Sequence, residues 1–233
     1  TSILNGYLPG EAGGLALCDL LFGDVNPSGK LAETYPKSLS HVPCCDTYGK
    51  ERKQIHYRES VFVGYRYYDS AKVDVLFPFG HGLSYTTFEY SALEIVGNTL
   101  RFNVRNTGVR KGSEIVQVYV SNLTKESYFV SKELKAFEKI NLSPRQEKTV
   151  EIELNERDFM FYHPELKRFV VAPGEYEILI GASSQDIRLT GRITKEGEAD
   201  LPKDSSIEST WYIHLKGKPS DEDFKTIYHR GIQ

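Results

Sequence analysis

The chain has 233 residues, 39% of them hydrophobic and 26% charged, and a net charge of −3 at pH 7. At about 150 residues per domain, that length holds one large or two small domains with a sizeable core. The slightly acidic balance argues against a nucleic-acid partner, which needs a basic face, and no apolar run reaches the roughly 18 residues that span a membrane. Residues 1–35 read as strand, turn, helix, turn, strand. Ile3 to Leu8 is a short apolar stretch, and Pro9-Gly10 signals a turn. From Glu11 onward, Leu17, Leu20 and Leu21 recur at helical spacing. Gly13 and Gly14 weaken that helix, so they point to close packing against a neighbouring backbone. Gly23 is its expected stop, Asn26-Pro27-Ser28-Gly29 is a loop, and Lys30 to Tyr35 can extend as a strand. One helix and two strands cannot close a core. This segment reads as the terminal, incomplete unit of an α/β layer whose other units lie upstream.

Residues 36–86 hold little periodicity but are too dense in Tyr and Phe for a disordered linker. They read as an ordered interdomain segment. Residues 87–196 change character: 100–104, 116–120 and 150–154 alternate apolar and polar, and 176–180 comes close. Turn signals at 106–108, 143–144 and 173–174 separate them. Short alternating strands with regular turns predict a β-sandwich of immunoglobulin or fibronectin type III kind. The expected class is therefore mainly β with a small α/β part. Residues 197–233 form an extension in which Ser220 offers an N-cap, Asp223 completes a shortened capping box, and Phe224, Ile227 and Tyr228 predict a short helix. The chain opens at Thr1 and its single methionine is Met160, so the sequence is expected to be a piece of a longer protein.

Few residues carry chemistry. Gly23 to Lys30 resembles a phosphate loop only superficially, because its spacing is one residue too long and Leu31 stands where Ser or Thr should hold magnesium. The histidines 41, 56, 81, 163, 214 and 229 are scattered, and none pairs with a cysteine at zinc-finger spacing. No metal or other cofactor is expected. There is no Gly-x-Ser-x-Gly elbow for a serine nucleophile. Of the three cysteines, Cys44 and Cys45 are adjacent; two buried or idle thiols are the plain reading, and a strained bridge or a redox role the sharper one. Their sparseness fits a cytoplasmic bacterial enzyme, and the compartment is otherwise unassigned. Asn122-Leu-Thr124 and Asn141-Leu-Ser143 fit the glycosylation acceptor pattern. The stretch Phe62-Val-Gly-Tyr65-Arg66-Tyr67-Tyr68 can line a sugar cleft or, the favoured reading, bury its rings between domains. Glu59 and Asp69 flank it as the best local carboxylate pair, against the plainer reading of salt bridges to Arg58 or Arg66.

The order of motifs is more specific than any one of them. Pro9-Gly-Glu-Ala-Gly-Gly14, then Asp19-Leu-Leu-Phe-Gly-Asp-Val-Asn-Pro-Ser-Gly-Lys-Leu31, then Thr34-Tyr-Pro36 resembles the end of the α/β sandwich domain of family 3 glycoside hydrolases. Phe62-Val-Gly-Tyr-Arg-Tyr-Tyr-Asp69 and Phe77-Pro-Phe-Gly-His-Gly-Leu-Ser-Tyr-Thr86 resemble the segment that follows it. Lys132-Glu-Leu-Lys-Ala-Phe137 and Pro173-Gly-Glu-Tyr176 resemble the family's fibronectin type III-like domain. The resemblance runs through residues 3–194 in the family's order. One departure stands out. Ser60 occupies a position that is often glycine in the family, and serine lacks glycine's freedom at positive φ.

The resemblance implies a retaining, exo-acting β-glucosidase, with two carboxyl groups about 5–5.5 Å apart, one a nucleophile and one an acid/base. It places the nucleophilic Asp on a (β/α)8 barrel and the acid/base Glu on an upstream loop of the α/β sandwich. Neither falls in this chain, so no catalytic, cofactor-binding or metal residue is assigned. The implied partners are a β-glucoside or oligosaccharide, met through the full-length enzyme, the barrel, and the rest of the α/β sandwich. The β-sandwich is expected to brace the assembly rather than to act on substrate. Two alternatives remain at this point. One is a non-catalytic carbohydrate-binding or adhesion module, for which Tyr119, Tyr128 and Phe129 are the nearest surface aromatics; the other is an independent hydrolase using Glu59 and Asp69.

Overall fold

In the computed structural model, residues 2–50, 55–124, 130–203 and 205–228 are described. In chain order the elements are α1 (Gly13–Phe22), β1 (Tyr35–Pro36), α2 (Tyr65–Ser70) and β2 (Val75–Phe77). The strands β3 (Phe88–Val96), β4 (Thr99–Asn106), β5 (Gly112–Asn122), β6 (Glu133–Leu142) and β7 (Glu147–Glu153) follow. Then come β8 (Met160–His163), β9 (Arg168–Val171), β10 (Gly174–Gly181), β11 (Ile187–Lys195), α3 (Trp211–His214) and α4 (Asp221–Tyr228). The chain is mainly β, with a small α/β part at its start.

The expected sandwich is present. One sheet has the order β3-β4-β7 and the other β11-β10-β5-β6, all antiparallel. The four alternating runs became β4, β5, β7 and β10 because period 2 sends every second side chain to one face. Leu100, Phe102 and Val104 of β4 are fully buried against Val118, Ile178 and Ile180 of the other sheet's strands, while Arg101 and Arg105 face water. Each large side chain buried in this way is worth about 1.5–3 kcal/mol. The β4–β5 turn is fixed from within by Asn106, which has no exposed surface. Its Oδ1 accepts from Thr86 Oγ1 (2.6 Å) and Gly108 N (3.0 Å), and its Nδ2 donates to the carbonyls of Arg110 (2.7 Å) and Leu142 (3.2 Å). A buried amide with all of its groups bonded carries little desolvation cost.

Alternation misled in one respect. It predicts that Gln117 and Tyr119 of β5 face solvent, yet they are 3% and 0% exposed. The outer face of β5 is itself covered. Tyr65 meets Tyr119 edge to face at 5.9 Å, and Gln117 Nε2 donates to the carbonyls of Gly80 (3.2 Å) and Ala182 (2.8 Å). Tyr119 Oη donates to Gln117 Oε1 at 2.6 Å.

The first segment needed the most correction. The helix forms and ends at Gly23 in the left-handed conformation, as expected. Ile3 to Leu8 is not a strand, and of Lys30 to Tyr35 only Tyr35 enters one, with Pro36. A strand needs a neighbour to complete its ladder, and among the described residues only β2 supplies one, to Tyr35 and Pro36. Gly13 packs on the Pro9 ring, where an added Cβ would sit 2.5 Å away, but Gly14 faces open space. Leu8, Leu15, Leu21 and Phe22 are left exposed.

Candidate functional site

The segment 55–70 was the strongest local candidate for chemistry, and its surroundings decide what it does. Gly64, at φ +56, turns the chain into α2, a conformation that favours glycine. The helix then places Tyr67 and Tyr68 inward, each 5% exposed. With Phe62 they form an aromatic cluster completed by Trp211 and Tyr212 of α3. Trp211 stacks on Tyr67 at 5.8 Å and meets Phe62 edge-on at 5.9 Å. Tyr65 points the other way, stacking on Phe79 at 4.7 Å and accepting a bond from Leu134 N (2.8 Å). Burial pushes the phenols of Tyr65, Tyr67 and Tyr68 above their ordinary range. Tyr67 and Tyr68 are therefore packed into the aromatic cluster, and Tyr65 against the outer face of β5.

The carboxylates flanking this stretch are not partnered as expected. Asp69 pairs with Lys132 at 3.1 Å and accepts from Gln185 Nε2 at 2.8 Å, so it ties α2 to the sandwich. Arg66 instead pairs with Glu133 (2.8 Å), and Arg58 with Asp221 of α4. The expected ion pairs were local in sequence; those observed all reach the sandwich or the C-terminal extension. Glu59 borders a small pocket of about 110 Å³ with Cys44, Tyr48, His56 and Tyr57, and its Oε2 is buried without a hydrogen-bond partner. A groove of about 550 Å³ between the β8–β9 hairpin and residues 60–62 takes in neither carboxylate. Glu59 and Asp69 thus have separate surroundings, Glu59 beside Cys44 and Asp69 beside Lys132 and Gln185.

Ser60 does adopt the left-handed conformation that its position asks for, with φ +51. A non-glycine residue there carries strain of about 1–2 kcal/mol, offset in a glycine variant by the entropy glycine adds to the unfolded chain, about 0.4–1 kcal/mol. Ser60→Gly is expected to stabilise by about 0.5 kcal/mol in urea unfolding. A destabilised variant would mean that the serine side chain contributes more than its backbone costs.

The other candidates resolve as follows. Tyr119 is buried and offers no surface for a ligand, which corrects the binding-module reading; Tyr128 and Phe129 lie outside the described residues. Gly23 to Lys30 binds the sandwich. Asn26 Nδ2 donates to Lys111 O (3.0 Å), while its Oδ1 accepts from Ser84 Oγ (3.0 Å) and Tyr85 N (2.8 Å). Arg110 reaches Gly23 O at 3.2 Å, and Tyr85 Oη donates to Leu20 O at 2.6 Å. Lys30 pairs with Glu114 at 2.8 Å, both side chains nearly buried. Asn122 Oδ1 is taken by Thr124 N and Oγ1 and its Nδ2 is buried, so this acceptor is occluded, while Asn141 is exposed. The cysteines are free thiols. Among the described residues no His, Cys, Asp and Glu group could hold a metal, and no helix is long and apolar enough to cross a membrane.

Comparison with known proteins accounts for this layout. Residues 1–85 match the model of the glycosyl hydrolase family 3 C-terminal domain, and residues 114–184 that of the fibronectin type III-like domain. Thermostable beta-glucosidase B of Acetivibrio thermocellus is 45% identical over 216 residues, which are 89% of this chain and 29% of that protein. An exo-alpha-(1->6)-L-arabinopyranosidase of Bifidobacterium breve is 41% identical over 201 residues, 84% of this chain and 27% of that protein. The crystal structure of a Bifidobacterium adolescentis GH3 beta-glucosidase superposes with a TM-score of 0.80 at 35% identity, covering 96% of this chain and 33% of that one. The chain belongs to the family 3 glycoside hydrolases and corresponds to their C-terminal region. It spans about a third or less of the length of these relatives.

Proposed function

We propose that this chain is the C-terminal scaffold of a retaining, exo-acting β-glucosidase that releases terminal β-D-glucosyl residues, with the nucleophilic Asp and the acid/base Glu both outside it. The observation that supports this most is the exposed apolar face around α1. Leu8 is 97% exposed and Phe22 83%, on a segment otherwise bonded firmly to the sandwich. A face of that kind calls for a covering layer, and the remainder of an α/β sandwich supplies one. We divide the chain into a terminal α/β unit (1–35), an aromatic seam (36–86), the β-sandwich (87–196) and an extension that closes the seam (197–233). A β-glucoside is the proposed substrate, met by the parent enzyme rather than by these residues.

The test is hydrolysis of a chromogenic β-glucoside by the 233-residue chain, by a Glu59→Gln variant, and by the same chain joined to its parent sequence. Turnover is expected only in the last. Turnover by the isolated chain that disappears in the Glu59 variant would overturn the assignment and make the chain a self-contained enzyme.

A further inference from the structure

The adjacent thiols Cys44 and Cys45 lie in the seam segment, where the scaffold reading gives them no role. Cys45 accepts a hydrogen bond from Lys218 Nζ, with Sγ and Nζ 2.9 Å apart. Lys218 comes from the turn between α3 and α4, and it also contacts the Asp46 carboxylate. The Cys45 thiol in turn faces Asp46 Oδ1 at 3.6 Å. Thus one sulfur lies between an ammonium that donates to it and a carboxylate that accepts from it, and a neighbouring lysine in a partly open setting is a feature of reactive cysteines. The site is reachable from water: Cys45 is half-buried, and the Lys218 and Asp46 side chains keep 34% and 64% of their surface. The chain provides its own comparison. Cys18 is exposed on α1, and no cation is found at its sulfur among the described contacts. Cys44 is pushed above the ordinary thiol range by burial and by the charge of Glu59, which leaves it protonated.

We infer that Cys45 is a peroxide-reactive thiol activated by Lys218, with Cys44 as the resolving thiol, so that the pair is a redox-sensitive modification site at the clasp of the C-terminal extension. In the first step the Cys45 sulfur attacks one oxygen of hydrogen peroxide. An S–O bond forms, the O–O bond breaks, and the departing oxygen leaves as water, carrying the thiol proton. The sulfur is oxidised to sulfenic acid and the peroxide is reduced. In the second step Cys44 attacks the Cys45 sulfur: the S–S bond forms, the S–O bond breaks, and the hydroxyl departs with the Cys44 proton as water. Lys218 loses its sulfur acceptor when Cys45 turns to Cys44, so oxidation loosens the contact between residues 44–46 and the extension.

The intact protein would be treated with limiting hydrogen peroxide under native conditions, and oxidation read peptide by peptide by mass spectrometry. The peptide holding Cys44 and Cys45 is expected to lose two hydrogens at least fivefold faster than Cys18 is oxidised. Lys218→Met is expected to slow that loss by a similar factor and to leave Cys18 unchanged, while Lys218→Arg keeps most of the rate. Cys44→Ser is expected to stop the reaction at a sulfenic acid, trapped by dimedone on Cys45. Equal rates at Cys18 and Cys45, a Lys218→Met variant as fast as the native chain, or no dimedone adduct in Cys44→Ser would each overturn the inference. All three variants change partly open side chains, and unchanged thermal unfolding of the reduced proteins verifies that they fold.

Discussion

Trp211→Ala is expected to destabilise the protein by about 3–5 kcal/mol, the cost of deleting a large buried ring whose site cannot collapse. The ring is 5% exposed and lies at the centre of the aromatic cluster, stacked on Tyr67 and edge-on to Phe62 and Tyr212. Its Nε1 donates to Gly217 O at 3.2 Å, and its backbone N–H donates to Asp223 Oδ1 at 3.0 Å. Around it the extension is fastened twice more. Tyr212 Oη donates to Arg58 O at 2.6 Å, and the Arg58 guanidinium pairs with Asp221 and lies 5.7 Å over the Phe224 ring. Without the indole, Phe62 and Tyr67 lose their cover from one side. Urea unfolding of the intact protein measures the loss, with Trp211→Phe as a control expected to cost much less. Limited proteolysis should then cut the variant first in residues 205–228. A loss below about 1 kcal/mol would place the extension outside the cooperative unit, since surface changes rarely exceed about 0.5 kcal/mol.

The contrast between the sandwich and this clasp explains what could be read in the sequence. Period-2 patterning is a local signal, so β4, β5, β7 and β10 were visible as strands. The capping box is local too: Ser220 N donates to Asp223 Oδ2 (2.9 Å) and Asp223 N to Ser220 Oγ (3.1 Å), as the spacing of the two residues implied. The partners of that helix were not legible. Nothing near Trp211 in the sequence indicates that it will meet Tyr67, and the Arg58–Asp221 pair joins positions far apart in the chain. Buried polar contacts were hidden for the same reason. Gln117 sits in an alternating pattern identical to that of a solvent-facing position, and only the second layer over β5 makes it internal. Lys30 could be seen in a motif, but not its pairing with Glu114. Glu59 and Asp69 were singled out by proximity in sequence, whereas their environments are set by Cys44 on one side and by Lys132 and Gln185 on the other. The family resemblance, carried by ordered motifs rather than by any one residue, reached further than local patterning did.

Lys30→Met is expected to cost about 3–5 kcal/mol, and the double variant Lys30→Met, Glu114→Leu to recover most of that loss. The two side chains keep only 12% and 8% of their surface, with Nζ and Oε1 2.8 Å apart. Lys30 also donates to Gly82 O at 3.4 Å, and Glu114 Oε1 accepts from Ile115 N at 2.9 Å. Removing the lysine leaves a carboxylate in the seam with one hydrogen bond and, as counter-charge, Arg188, which is already paired with Asp186. Removing both leaves two apolar side chains in a site already walled by protein, which buried ion pairs often tolerate. A double-mutant cycle in urea isolates the coupling, expected above about 1 kcal/mol for groups in direct contact. Additive losses would mean that the two charges are solvated separately and that the seam is open to water. Strong coupling has a structural consequence. The pair joins the loop after α1 to β5, the most buried strand of the sandwich, alongside Leu31 N to His81 O (2.8 Å) and Gly80 N to Leu31 O (2.8 Å). Backbone bonds alone set the register of that crossing, while the buried charges penalise any arrangement that separates them. The double variant should therefore be nearly as stable as the native chain yet hold α1 less rigidly on the sandwich, read as faster amide exchange at Leu31 and Gly80 with unchanged exchange in the core of β4.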